Sequence, residues 1–325
     1  MATLGQLGEA AVLARIFPRL PDSAQTLVGP GDDAAVLRAP DGRYVVTTDM
    51  MIHGPDFRLA WSTPHDLGWK AAATNLADVA AMGAVPTALV VALAAPPDTD
   101  VALLEGLADG LRDACDRLAP GCGVVGGDLS SSATLTIAIT AFGDLQGRDA
   151  VRRSGARPGD AVAVSGALDL AARGLELLFT RAVDADGVPD ADLGRAVRAE
   201  FPAEVDAQLA PVPPLADGPA AALAGATAML DVSDGLAIDG RRLATASGVR
   251  LDLDSAAVAR DVVAASGESH ALLATFPADV VLPGGFRAVG RVHPGEGLSV
   301  DGEPFAGLGG WDPYADSSDG SERPR

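Results

Sequence analysis

The chain has 325 residues, of which 48% are hydrophobic and 21% are charged, and its 44 acidic and 24 basic side chains give a formal net charge of −20. This balance predicts a globular protein of about two domains and argues against DNA, RNA or an anionic membrane as a partner, because each of these requires a basic surface. Two cysteines are too few for a disulfide scaffold, and we find neither a signal-type segment nor an apolar run near the ~20 residues of a membrane span. We therefore expect a cytoplasmic protein with no membrane segment.

The first half of the chain alternates strand and helix patterns. The helix that begins at Pro64 has the clearest start, because Thr63 can cap it, proline suits its first position and Asp66 falls at its third. In chain order we predict a helix at 9–17, strands at 34–37 and 44–48, a helix at 64–82, a strand at 88–93, a helix at 101–118, and strands at 124–125 and 135–142.

The second half follows a boundary that we predict between residues 143 and 155. The predicted elements are a strand at 161–165, a helix at 170–178, an acidic insert at 183–192, a proline-rich connector at 211–214, a helix at 215–223, a strand at 228–231 and a helix at 236–247, followed by short alternating elements up to residue 311. We assign residues 1–148 to an N-terminal domain, 149–314 to a C-terminal domain and 315–325 to a disordered tail. Strands and helices alternate without one clean βαβ repeat, so the predicted fold class is α+β.

Five clusters place aspartate among small polar residues, mostly at the predicted end of a strand or helix. Capping or turn formation explains any one of them. Together, in loops of the kind that display chemistry, they indicate a binding site for an anionic ligand. The clusters are Gly31-Asp32-Asp33, Thr47-Thr48-Asp49, Asn75-Leu76-Ala77-Asp78, Gly126-Gly127-Asp128 and Asp231-Val232-Ser233-Asp234-Gly235.

The helix predicted at 64–82 carries one of these clusters on an apolar face. Ala71, Asn75, Asp78 and Met82 are spaced four, three and four residues apart, so they share that face. A buried carboxylate needs a cation or several hydrogen-bond donors. Lys70, the only lysine of the chain, is turned about 80° away from Asp78 on an ideal helix. A bound metal ion is therefore the expected partner of Asp78.

The candidate ligands are all hard oxygens, which favours Mg²⁺, Ca²⁺ or Mn²⁺ over zinc or copper. The clusters do not match an EF-hand loop, and several converging aspartates would repel one another unless more than one cation lay between them. Mg²⁺ commonly combines one or two carboxylates with substrate phosphates, so we predict a site with several Mg²⁺ ions and a phosphate ligand. Backbone amides at Gly126-Gly127, a helix start at Ser233 and the guanidinium groups of Arg152 and Arg153 are candidate phosphate partners.

Six segments occur in the order in which one enzyme family carries them, and the chain resembles that family over residues 29–311. The family is thiamine-monophosphate kinase, in the superfamily of aminoimidazole ribonucleotide synthetase and selenophosphate synthetase. The segments are Gly-Asp-Asp-Ala-Ala-Val (31–36), Thr-Thr-Asp-Met (47–50), Lys-Ala-Ala-Ala-Thr-Asn-Leu-Ala-Asp-Val-Ala-Ala-Met-Gly-Ala (70–84), Gly-Gly-Asp (126–128), Arg-Ser-Gly-Ala-Arg-Pro-Gly-Asp (153–160) and Asp-Val-Ser-Asp-Gly-Leu (231–236).

The resemblance implies a two-domain architecture like that of aminoimidazole ribonucleotide synthetase: an α/β N-terminal domain that forms a homodimer through its sheet, and an α+β C-terminal domain. It implies direct in-line transfer of phosphate from ATP to thiamine monophosphate, assisted by several Mg²⁺ ions. It implies metal ligands at Asp33, Thr47, Thr48, Asp49, Asp78, Asp128, Asp231 and Asp234. It implies catalytic roles for Asp128, Asp234 and Arg153, ATP contacts at Gly127, Asp128, Arg153 and Ser233, and substrate contacts at Asp56, Glu268 and Trp311.

The chain departs from the family pattern at three places, all away from the implied metal ligands. Asp56 stands where the family usually has histidine, although His53 is nearby. Only the Gly-Glu core of a family motif survives in the segment 266–271, and Asp169-Leu170 replaces a glycine- and serine-containing stretch. These departures bear on substrate choice and turnover. Two alternatives stay open: another ATP-using member of the superfamily and, because of these departures, a non-catalytic paralogue that binds nucleotide or thiamine phosphate.

Overall fold

The computed structural model describes residues 2–29, 35–265, 267–307 and 309–310, and the fold given below is that of these residues. The elements up to residue 144 are α1 (Leu4–Leu7), α2 (Glu9–Ile16), β1 (Thr26–Val28), β2 (Val36–Leu37), β3 (Val45–Ile52), α3 (Pro64–Ala81), β4 (Val85–Ala95), α4 (Val101–Leu118), β5 (Gly123–Ser131) and β6 (Thr136–Asp144). The later elements are β7 (Ala161–Ser165), α5 (Leu170–Arg181), α6 (Ala191–Glu200), α7 (Pro202–Leu209), α8 (Asp217–Leu223), β8 (Ala228–Val232), α9 (Leu236–Ser247), β9 (Arg250–Leu253), α10 (Arg260–Ala264), β10 (Ala271–Phe276), β11 (Arg287–His293), β12 (Gly297–Val300) and β13 (Glu303–Pro304).

The first half builds a sheet in the order β3-β6-β4-β5, in which β4 and β5 are parallel and the other pairs antiparallel. Helices α3 and α4 cover one face of it. The two helices cross closely because Gly68 of α3 faces the backbone of α4 and Gly110 of α4 faces the backbone of α3. A Cβ at Gly68 would lie 2.0 Å from the carbonyl oxygen of Leu107. Met51, Leu76 and Ile137 belong to the core between the helices and the sheet.

The opposite face of this sheet is open in the described part of the chain. Side chains alternate along β3, so Met51 points into the core while Val46, Met50 and Ile52 are 36–55% exposed. We use the term open face for this surface, which the even-numbered residues of β3 and their neighbours on β6, β4 and β5 form.

The second half builds a sheet in the order β13-β12-β9-β11-β7-β10-β8, in which only the β12–β9 pair is parallel. Both of its faces are packed: Leu230 and Leu273 belong to a core shared with α9, and Met229 and Phe276 to a core on the other face, beside α8. Mostly antiparallel sheets with helices in separate layers confirm the predicted α+β class. Among the described helices, none has the length and apolarity that would let it cross a membrane.

Several predicted strands are longer in the structure, and in β3 and β5 the extension changes where an aspartate lies. β3 continues to Ile52 and β5 to Ser131, so Asp49 and Asp128 lie inside strands rather than at their ends. Pairing with β6 and β4 continues along these polar segments and outweighs the weak strand propensity of aspartate and glycine. Other bounds moved less: α8 begins two residues later than predicted, and α5 ends three residues later.

Helix α3 is the central element of the molecule, buried along almost its whole length. It packs on the first sheet and on α4, and the second half of the chain reaches it too, because Gly218 of α8 lies against the carbonyl of Ala80. A helix buried on most sides loses the apolar stripe that marks a surface helix. The position of Asp78 in its last turn therefore places that carboxylate between the two halves.

The segment α5–α7 is fastened to the N-terminal end of α3. The indole N–H of Trp61 donates to the carbonyl of Ala182 at 2.8 Å, and that of Trp69 donates to Pro211 at 2.7 Å. Arg198 of α6 makes two hydrogen bonds to Asp66, at 2.8 and 3.1 Å. Burial opposes ionisation of Asp66, but hydrogen bonds from Arg198 and Thr63 outweigh it and lower its pKa.

We expect Arg198→Met to lower the free energy of unfolding near neutral pH by about 1–3 kcal/mol, because Asp66 is buried while Arg198 is partly solvated. Because the pKa of Asp66 is lower in the folded than in the unfolded protein, its ionised form stabilises the fold at pH values above the unfolded-state pKa of about 3.9. This contribution disappears as the pH falls through the folded-state pKa. Urea titrations at a series of pH values should show the two proteins converging below about pH 4. Arg195→Met, on the exposed side of the same helix, is the control. A pH-independent difference would contradict the assignment to Asp66.

Candidate functional site

A cavity of about 410 Å³ lies where the two halves of the chain meet. Carboxylates from both halves line it, and Lys70 and His270 lie among them. The first half contributes Asp49, Asp56 and Asp78, and the second half contributes Asp231, Asp234 and Glu268.

A second cavity, of about 830 Å³, adjoins the first and shares Asp78 and Asp231 with it. Its walls include apolar side chains such as Met82 and Met229, together with Thr47 and the exposed Arg153. The two cavities therefore meet at a pair of carboxylates from different halves of the chain.

Asp78 is the most strongly perturbed acid at this junction. Its carboxylate accepts a hydrogen bond from Thr47 Oγ1 at 3.0 Å. Burial, followed by repulsion from Asp231 and Asp49, raises its pKa to about 7. Carboxylates of β3, α3 and β8 thus crowd together, and in the described residues no cationic side chain makes a hydrogen bond or ion pair with Asp78.

The loop after β8 is organised by Asp239, which is almost fully buried in α9. Its carboxylate accepts hydrogen bonds from the backbone N–H of Asp234 at 2.9 Å and of Gly235 at 3.2 Å. Arg242 pairs with both Asp234 and Asp239. Burial and the nearby Asp231 raise the pKa of Asp239 to about 6. This network fixes the direction in which the Asp231–Asp234 segment faces the cavity.

Glu268 packs against the Asp231–Asp234 segment. Its backbone N–H donates to Ser233 O at 2.6 Å, and a Cβ at Gly267 would lie 1.8 Å from the same oxygen, so only glycine fits there. The Lys70 ammonium pairs with Glu268 Oε2, and Gln208 Nε2 donates to the same oxygen at 3.0 Å. Burial opposes ionisation, but Lys70 lowers the pKa of Glu268.

His270 is a buried polar side chain in the wall of the smaller cavity. Neither ring nitrogen has a hydrogen-bond partner within the described ranges, and Nδ1 lies 3.6 Å from Asp231 Oδ2. Burial lowers its basicity, but the Asp231 carboxylate outweighs burial and raises its pKa.

Most of the residues that the sequence singles out lie at these two cavities. Thr47 and Arg153 line the larger one, while Asp33 and Trp311 fall outside the described residues. The smaller cavity is lined by Thr48, Asp49, Asp56, Asp78, Asp231, Ser233, Asp234 and Glu268.

Gly127 and Asp128 are not brought to this junction within one chain. Asp128 pairs across the sheet with Ala92, then Ala138, then Met50, so its side chain lies on the open face. Asp49 and Asp78 lie on the helix-covered side, and three strand spacings of about 4.8 Å separate β5 from β3. In the part of the chain that the structure describes, no three His, Cys, Asp or Glu side chains form a ready metal-binding group.

Three residues at the site were not recognised from the sequence: Lys70 and His270, which line the smaller cavity, and Gln208, which donates to Glu268. On an ideal helix the side chain of Lys70 points about 80° away from that of Asp78. Both residues nevertheless line the smaller cavity, because the cavity extends over more than one face of α3. The signal was present, because a lone lysine inside an apolar helix has to be paired. Gln208 gave no signal, since its role depends on how α7 packs.

Comparisons with known proteins agree on one family. The family model "AIR synthase related protein, N-terminal domain" matches residues 31–145. A thiamine-monophosphate kinase of Mycobacterium tuberculosis is 44% identical over 333 residues, covering 97% of this chain and 94% of that protein. The crystal structure of a thiamine-monophosphate kinase from Stenotrophomonas maltophilia K279a superposes with a TM-score of 0.73 at 30% identity, covering 92% and 98% of the two chains. A structure described as AaThiL complexed with AMPPCP and TMP has a TM-score of 0.69 at 26% identity, covering 96% and 98%.

Proposed function

Because this chain belongs to the thiamine-monophosphate kinase family, we propose that it transfers the γ-phosphoryl group of ATP to thiamine monophosphate and forms thiamine diphosphate. The observation that carries the proposal is the junction of the two cavities, where carboxylates from both halves crowd around one point. ATP as phosphoryl donor suits a reaction in the cytoplasm. The structure described as complexed with AMPPCP, an ATP analogue, and TMP supports the pair of substrates.

The donor set at the junction fits Mg²⁺. Every candidate ligand is a hard oxygen, and the mutual repulsion of Asp78, Asp49 and Asp231 is the condition that a divalent cation relieves. We assign the holding of the metal to Thr47, Asp49, Asp78, Asp231 and Asp234, and Thr48 stays a predicted ligand because its side chain belongs to the open face. Asp33 remains a predicted ligand.

The different linings of the two cavities favour a different substrate in each. We assign ATP to the larger one, where apolar side chains suit a nucleobase and Arg153 suits phosphate, with Ser233 at the junction. We assign thiamine monophosphate to the smaller one, between Asp56 and Glu268, with Trp311 as a further predicted contact. The phosphates of the two substrates would then meet beside Asp78 and Asp231.

Transfer between two phosphates needs no general base, because the acceptor is already largely dianionic near neutral pH. The obstacle is repulsion between anions, and Mg²⁺ held by these residues would supply the neutralising charge. This chain's residues do the rest: Asp78 and Asp231 fix the meeting point, Arg153 contacts phosphate, and Arg242 and Asp239 hold the Asp234 loop in place. Positioning for in-line attack and electrostatic stabilisation would then account for catalysis.

The purified chain should convert thiamine monophosphate and ATP to thiamine diphosphate and ADP in the presence of Mg²⁺. Excess chelator should reduce turnover to background, and Mg²⁺ should restore it, because the phosphates then regain their neutralising charge. Chromatography of the thiamine esters measures the product. Thiamine and other phosphate acceptors serve as controls. Folded protein that binds Mg²⁺ and ATP without turnover would contradict the proposal and favour a binding paralogue.

We also propose that the protein works as a homodimer joined through the open face. Val46, Met50 and Ile52 expose apolar side chains there, next to an unpaired edge of β3 in the described chain. Asp128 lies on this same face, and within one chain it cannot reach the junction. A second copy packed against the open face could supply Gly127 and Asp128 to its partner's site, because Thr48 and Met50 of that face also line the smaller cavity at the β3 edge.

A further inference from the structure

We propose that Lys70 and Gln208 are positioning residues for Glu268: together they occupy carboxylate oxygen Oε2, which leaves Oε1 to accept a hydrogen bond from the amino-substituted ring of the substrate. The inference rests on the proposed function and deepens it. It assigns roles to two side chains from distant parts of the chain, one on α3 and one on α7.

Lys70 is an unusual charge in this molecule. It is the only lysine of the chain, and its side chain is 6% exposed within a helix that is buried along almost all its length. A buried ammonium is costly unless it is paired. The lysine ammonium is a compact charge with three donors, whereas the arginine guanidinium is a wide planar fork. Lysine therefore suits a contact with the single carboxylate oxygen Oε2 of Glu268.

Glu268 is held by its backbone as well as by its side chain. Its φ of +68° is a rare conformation for a residue other than glycine, and such strain is usually found at functional sites. The N–H bond to Ser233 and the close fit of Gly267 keep that conformation. The carboxylate is therefore fixed at both ends, with the two side-chain donors converging on Oε2 and neither using Oε1.

The orientation suits a positively charged heteroaromatic amine rather than a phosphate. The Glu268 side chain is 37% exposed, and it lines the cavity together with Asp56 and Asp49. An anionic wall repels phosphate but attracts a cationic ring and accepts from a ring amino group. Because Lys70 is already committed to Glu268, we infer that it acts on the substrate through that carboxylate.

The test is a double-mutant cycle on full-length protein, with KM and kcat measured for both substrates. Lys70→Met should raise the KM for thiamine monophosphate about tenfold and Gln208→Leu about threefold, with the KM for ATP nearly unchanged. In a Glu268→Gln background, Lys70→Met should add less than about twofold, because the carboxylate that it positions is gone. The oxythiamine ester, which has a carbonyl in place of the amino group, should bind Lys70→Met and wild type alike.

Effects of Lys70→Met that add fully to Glu268→Gln, or that fall on ATP, would overturn the proposal and make Lys70 a direct phosphate ligand. Should Lys70→Met fail to fold, the cycle of Gln208→Leu with Glu268→Gln tests the same carboxylate, because the amide oxygen that Glu268→Gln leaves can still accept a hydrogen bond from the Lys70 ammonium. Absence of turnover in the wild type would instead refute the proposed function, so the two failures are distinguishable.

Discussion

Replacing Asp78 with asparagine is expected to lower kcat/KM for thiamine monophosphate on the order of 10³-fold, since it removes a carboxylate from the point where both cavities meet. Asparagine keeps the size of the side chain and can still accept the hydrogen bond from Thr47. The loss should therefore come from charge rather than from misfolding. Steady-state kinetics at saturating Mg²⁺ measures it.

The same variant should be more stable than the wild type when divalent cations are removed near pH 8. Asp49 and Asp231 repel the ionised Asp78 carboxylate, and asparagine ends that repulsion. Added Mg²⁺ should raise the melting temperature of the wild type and have little effect on the variant, because ligand binding stabilises only a fold that binds it. Asp98→Asn, which removes the same charge from an exposed turn, is the control. Equal Mg²⁺ stabilisation of Asp78→Asn would contradict the metal assignment.

Local chemistry explains which parts of the fold the sequence could predict. Helix α3 begins at Pro64 as expected, because a capping threonine, a proline and an acidic third residue are all local signals. The continuation of β3 through Asp49 could not be predicted, because it depends on backbone pairing with β6, some 90 residues away in the sequence.

The candidate site shows the same limit. The acidic motifs are visible in the sequence. Asp78 and Asp231 meet because both halves of the chain pack on α3, which needs no further long-range contact. The Lys70–Glu268–Gln208 group joins α3, α7 and the loop before β10, and no spacing rule links them. Asp128 is the opposite case: its motif suggests the same site, yet the register of the sheet sends it to the other face.

Mixing two inactive chains should restore activity if Asp128 serves the partner's site. We expect homodimers of Asp78→Asn and of Asp128→Asn each to be nearly inactive. In a purified heterodimer of the two, one site combines both defects and the other has neither, so it should show about half of the wild-type activity per dimer. Two affinity tags isolate the heterodimer, and the thiamine diphosphate assay measures it.

Two further heterodimers fix the interpretation. Asp78→Asn with Asp234→Asn should stay inactive, because both carboxylates line the same cavity of one chain and each site would then carry one defect. Asp78→Asn with the exposed Asp98→Asn should give about half of the wild-type activity, since one site is intact in either geometry. If the heterodimer of Asp78→Asn with Asp128→Asn is as inactive as that of Asp78→Asn with Asp234→Asn, Asp128 acts within its own chain. β5 would then have to leave the register that now places Asp128 on the open face, and the shared-site proposal would fail.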